Sequence, residues 1–204
     1  MAAGPRQDDR RRPVWVAFAD QFLDTETRPY LPLAALSALE AGLSIEEARV
    51  IWVEQVAPAV GGNLHGVTGE WAGWDEAWLV ARIARRAGRS SWWRRPLGRR
   101  SAGVHGASWR VVEGCMAAAL AVPPPARWPL LRDLHALAGH YFDFVPADLG
   151  LEAPGRREAL RALFDSVFLP VFRPAVAVGA GEDPEAMARR VLAALDEGPP
   201  GPSP

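Results

Sequence analysis

Five carboxylates in the first half of the sequence stand where helix ends and a loop can bring them together. Asp24 and Glu26 follow the first apolar run, Glu54 lies near the end of the third, and Glu70 and Asp75 flank a glycine-rich turn. Converging carboxylates hold divalent cations or pass protons. No ligand spacing of the His-x-x-x-His kind accompanies them, so the simpler chemistry is structural. In that reading Asp24 and Glu26 turn or cap the chain, Glu70 pairs with an arginine, and Asp75 caps the helix that follows. The histidines are scattered: His65 in the glycine-rich stretch, His105 in a basic one, and His135 and His140 in one helical segment, on different faces. His140 and Asp143 make only a weak His-x-x-Asp pair. The single cysteine, Cys115, excludes an internal disulfide and reads as a buried, inert thiol. Gly103-Val104-His105-Gly106 follows no strand and is not a nucleotide fingerprint, and no Gly-x-Ser-x-Gly elbow or Walker loop occurs. No metal, cofactor or catalytic residue is expected.

Charge is distributed less evenly than the net value of -1 suggests. Every one of the 23 basic residues is arginine, which fits a GC-rich bacterial genome. From Ala77 to Val112 there is no acid at all, and nine arginines fall there; the remaining fourteen face all 24 acidic residues. Trp92, Trp93 and Trp109 are interleaved with Arg94, Arg95, Arg99, Arg100 and Arg110. Arginine mixed with aromatic rings suits a nucleic-acid backbone and unstacked bases. The same stretch can equally lie on the acidic body of its own chain, or simply be solvated.

Helical periodicity dominates the elements that must position these groups. Val14, Phe18 and Phe22 recur at four-residue spacing. Leu33, Leu36, Leu39 and Leu43 give a second helix ending near Gly42. Ser44-Ile45-Glu46-Glu47 is a capping box opening a third, with Ile45, Ala48, Trp52 and Val56 on one stripe; Pro58 should end or kink it. A fourth helix carries Trp74, Trp78, Leu79 and Ile83 inward. Trp71 and its neighbours Trp74 and Trp78 bracket a glycine turn and can line a pocket, although bulky rings filling an Ala- and Leu-rich core is the plainer reading. Later helices follow from Val112, Met116 and Leu120; from Leu130, Leu134, Leu137 and Tyr141; and from Leu160, Phe164, Val167 and Phe168. Pro123-Pro124-Pro125 separates the first two of these. Asp183-Pro184-Glu185 starts a last one, striped by Met187, Val191 and Leu195.

The expected fold is all-α, an irregular bundle of about eight helices in two halves joined by an Arg-rich loop. Its divisions are a disordered N-terminus (1–12), a first half (13–87), a basic Trp/Arg linker (88–108), a second half (109–197) and a disordered tail (198–204). Trp15, Phe18, Trp52, Trp78, Leu134 and Phe164 should be largely buried. No strand pattern or internal repeat is visible. No apolar run approaches the roughly 20 residues needed to cross a bilayer, and the polar N-terminus is no secretory signal. A cytoplasmic protein without a membrane partner is expected.

Three strings occur in order: Phe22-Leu23-Asp24-Thr25-Glu26, Glu54-Gln55-Val56-Ala57-Pro58, and Gly69-Glu70-Trp71-Ala72-Gly73-Trp74-Asp75-Glu76. Together they resemble a bacterial family catalogued only as a domain of unknown function, over about residues 13–86. The resemblance implies a helical fold and no particular activity.

Function classes follow from what is present and what is missing. A non-catalytic protein-interaction module, of the immunity- or antitoxin-like kind, fits an aromatic-rich helical chain without a catalytic motif, and its partner is another protein. The alternative is nucleic-acid binding through residues 82–110; a third is a metal-dependent enzyme built on the helix-end carboxylates. The candidate binding residues are Arg94, Arg95, Arg99, Arg100, Trp92, Trp93, Trp71, Glu70, Asp24 and Glu26.

Overall fold

Pro5 opens the first helix, α1 (Pro5–Ala19), in a computed structural model that describes residues 5–23, 27–60, 74–87, 106–141 and 156–170. The polar stretch that reads from sequence as a tail is thus largely the start of α1. Proline's fixed φ suits a first turn. A 3-10 turn (Asp20–Phe22) continues α1, and the expected stripe of Val14, Phe18 and Phe22 is buried.

A second 3-10 turn (Arg28–Tyr30) leads into α2 (Leu31–Glu40). Gly42 ends it. Its φ of 73° is a conformation that a side chain disfavours. That geometry lets the Leu43 N–H reach the Ala38 carbonyl and the Gly42 N–H reach the Leu39 carbonyl, both at 3.0 Å, the crossed pair of a Schellman ending. Leu36, Leu39 and Leu43 are only partly buried. The fully buried face is Leu31, Ala34, Ala35 and Ala38. Hydrophobic spacing favoured the leucines; the alanines win because α2 is the helix on which its neighbours pack, and small side chains permit close approach.

The capping box forms as the sequence predicts. Ser44 Oγ accepts the Glu47 N–H at 3.2 Å, and Glu47 Oε2 accepts the Ser44 N–H at 2.9 Å. The helix it opens runs through α3 (Ile45–Val50), a π turn (Ile51–Val56) and α4 (Ala57–Val60). Pro58 therefore does not stop it. The widened turn, in which the Ala57 N–H donates to the Trp52 carbonyl, precedes the proline, whose ring would otherwise press on the carbonyl four residues back.

Next come α5 (Glu76–Ala87), α6 (Gly106–Leu120), α7 (Pro124–Tyr141) and α8 (Arg156–Leu163), the last extended by a π turn (Phe164–Phe168). The proline run separates α6 from α7 as its chemistry requires. There is no strand among the described residues; the fold is all-α, an irregular bundle. α1, α6 and α7 pack on α2, and α5 packs on α1 and the first π turn. One continuous core takes in Val14 to Ile83 from the first part of the chain and Trp109 to Phe168 from the second. α6 meets the second π turn closely at Gly114: a Cβ there would stand 2.7 Å from Val167 Cγ1.

At the centre, Trp52 touches three rings. Phe18 lies at 5.2 Å edge-on, Phe22 at 5.4 Å and Trp109 at 5.8 Å, and Phe18 also meets Trp109 at 6.4 Å. Trp15, Phe18, Trp52, Leu134 and Phe164 are buried as expected; Trp78 is not, being 43% exposed. At about 100° per residue, Trp78 lies about 100° from Leu79 and about 140° from Ile83. The three cannot share one face, and the packing claims Leu79 and Ile83.

Candidate functional site

The ten binding candidates singled out from the sequence, Arg94, Arg95, Arg99, Arg100, Trp92, Trp93, Trp71, Glu70, Asp24 and Glu26, lie outside the described residues, as do His65, His105, Asp143 and the expected last helix. Of the carboxylate set, Asp75 caps α5: its Oδ1 accepts the Trp78 N–H at 2.7 Å. Glu54 lies on the first π turn. No group of three or more potential metal ligands occurs among the described residues. Cys115 is fully buried and burial pushes its thiol well above the ordinary value, so it is no nucleophile. His135 Nδ1 lies 2.7 Å from the Pro29 carbonyl oxygen and its ring is 5.1 Å from that of Tyr30. It ties α7 to the turn before α2.

The outer face of α5 is the most distinctive surface among the described residues. Trp74 and Trp78 stack at 6.1 Å with 11° between their planes, and the Arg82 guanidinium sits 5.0 Å over the Trp78 ring. Arg82 is itself held, because its Nε donates to the Ala59 carbonyl at 2.7 Å. Trp78, Arg82 and Arg85 fall within about 60° of one another on the helix and form one stripe. Trp74 precedes Trp78 by four residues and Arg82 follows it by four, so the Trp78 ring is contacted from one turn before it and one turn after it. The opposite side of α5 carries Glu76, which accepts from Arg12 Nε at 2.8 Å and links α5 to α1.

A second feature is an open groove of about 580 Å³ between the first π turn and α6. Trp52 and Trp109 contribute to its floor, and Glu46, Arg49, Glu54, Arg110 and Glu113 to its walls. Sequence spacing does not reveal this groove, which joins residues more than fifty positions apart. Both charge signs line it, and among the described residues no nucleophile stands there beside a base. Trp109, from sequence one of the rings interleaved with the arginines, is only 8% exposed and packed on Phe18 and Trp52. Its faces are not open to a base. Arg110 shares its groove with three glutamates.

A family model described as "Domain of unknown function (DUF7079)" matches residues 9–114, just over half of the chain. The match is wider than the resemblance over 13–86, and runs from α1 into α6, so it takes in both the α5 stripe and the lining of the groove. No curated protein and no solved structure matches the chain.

Proposed function

We propose, for a chain that belongs to the family described as Domain of unknown function (DUF7079), that it is a non-catalytic module that binds another protein, and that the outer stripe of α5 is the binding surface. One observation carries the reading: a tryptophan that is nearly half exposed is nevertheless fixed, between a stacked ring and a guanidinium that is itself anchored. Tryptophan and arginine are the residues most enriched where protein interfaces concentrate their binding energy. A side chain already held in place loses little rotamer freedom on association. The exposed part of the indole suits insertion into an apolar pocket. A base would have to stack on a ring already in contact with Trp74 and Arg82.

The test is affinity capture from cells of the source organism, with the full chain as bait, followed by calorimetry on the purified candidate. The expected partner is a protein that binds wild type and Trp128→Ala alike and is lost from Trp78→Ala. Trp128 is the control because it is comparably exposed, at 47%, but lies on α7. Partners that bind Trp78→Ala as tightly as wild type would refute the assignment of this surface.

A further inference from the structure

We infer that the partner segment meeting the α5 stripe is acidic; the inference rests on the protein-binding reading above and names the chemistry of its partner. The stripe carries Trp78, Arg82 and Arg85 and no carboxylate. The two acids at the start of α5 are both engaged elsewhere. Asp75 accepts the Trp78 backbone N–H, and Glu76 lies on the far side of the helix against Arg12. Neither Arg82 nor Arg85 makes an ion pair among the described residues. Arg82 gives its Nε to the Ala59 carbonyl and Arg85 gives its Nε to the Ala81 carbonyl of its own helix. Each of these bonds uses Nε, and the terminal nitrogens, the ones that grip a carboxylate two-pronged, have no carboxylate partner among the described residues.

Within α5 the charge after Glu76 is of one sign, with Arg82, Arg85 and Arg86 and no acid. A patch of one sign attracts a partner of the other and repels a basic one. Charge alone would also admit a phosphate backbone. The ring of Trp78 already stacks with Trp74 and lies under the Arg82 guanidinium, which counts against it, because single-stranded nucleic acid gains its sequence-tolerant binding from bases laid on open rings. A peptide carrying both carboxylates and an apolar side chain satisfies the arginines and the exposed part of the indole together.

The experiment uses the folded full chain and three fluorescent probes: a peptide of Asp and Glu interspersed with Leu, the same peptide with Lys for each acid, and single-stranded oligo-dT. Anisotropy is read at low and moderate salt, for wild type, Arg85→Glu and Trp78→Ala, with circular dichroism confirming that each variant is folded. The acidic peptide should bind, weaken with salt and lose about tenfold or more in Arg85→Glu, while the lysine peptide does not bind. If oligo-dT binds more tightly than the acidic peptide, or the two peptides bind alike, or no probe binds, the acidic partner is wrong. The two readings separate cleanly. Retention of the acidic peptide by Trp78→Ala but not by Arg85→Glu supports the charge inference and counts against Trp78 as the anchor. Trp78-dependent capture of a protein that ignores Arg85→Glu does the reverse.

Discussion

Trp52 and Trp78 are both helical tryptophans with aromatic neighbours, yet one is completely shielded and the other is nearly half exposed. Trp52 is met from three sides by rings from other elements: Phe18, Phe22 and Trp109. Among the described residues, the ring contacts of Trp78 come from its own stretch of chain, from Trp74 and Arg82. Ring geometry alone does not tell the two apart, since each has a neighbouring centroid within about 6 Å, an ordinary aromatic separation. What differs is the sequence distance of the contacts. Contacts from remote elements close a core, whereas contacts at i±4 order a surface.

The largest effect that can test this contrast is truncation at the centre. Trp52→Ala should lower the unfolding free energy by about 3–5 kcal/mol, measured by urea denaturation. Trp52→Phe should cost far less, because the buried Nε1 has no hydrogen-bond partner among the described residues and removing an unsatisfied donor recovers part of its desolvation penalty. A loss for Trp52→Phe as large as for Trp52→Ala would mean that indole size, not ring burial, holds the cluster.

Next in size is the start of the helix that carries Trp52. Ser44→Ala removes the acceptor for the Glu47 N–H and should cost about 1 kcal/mol. The effect should depend on pH. Hydrogen bonds from the Ser44 N–H and hydroxyl hold the Glu47 carboxyl below its ordinary value. A depressed carboxylate contributes stability that is present above its unfolded pKa and fades as pH falls through the folded one. Thermal melts from neutral into acid should therefore bring wild type and Ser44→Ala closer together, leaving the difference due to the lost Oγ acceptor.

Trp78→Ala should change stability by less than about 1 kcal/mol, the scale of an exposed cation–π contact, while abolishing partner binding. A loss comparable to that of Trp52→Ala would erase the distinction between the two tryptophans. The smallest effect is expected at Glu76→Gln. Its pair with Arg12 is more than half exposed on both sides, so the change should fall within about 0–1 kcal/mol and vanish in high salt. That result would show α5 to be held by the burial of Leu79 and Ile83 rather than by surface charge.

Where the sequence was legible, one local rule sufficed. Val14, Phe18 and Phe22 repeat at helical spacing, and Ser44 with Glu47 spells a capping box; both appear as read. Illegibility began where a neighbour had to be known. Tryptophan at position 78 is hydrophobic enough to be counted as core, and only its angle from Leu79 and Ile83 denies it that place. The alanines of α2 carry no strong pattern, and their burial follows from three helices converging on them. Of the site, the sequence showed the crowd of arginines and tryptophans but not the division of labour within it: Trp109 turns into the core, whereas Trp78 and Arg82 stay outside. The groove between the π turn and α6 has no local signature at all.

Cys115 is the only thiol of the chain and is wholly enclosed in α6. The folded protein is therefore chemically silent toward thiol reagents. A cysteine placed at Arg85 would take a fluorophore alone, without any background substitution, and would report directly on what docks there. Conversely, slow labelling of Cys115 in the unaltered chain would time each excursion in which α6 comes away from its neighbours. The core thus contains its own clock, and the surface a blank on which one probe can be written.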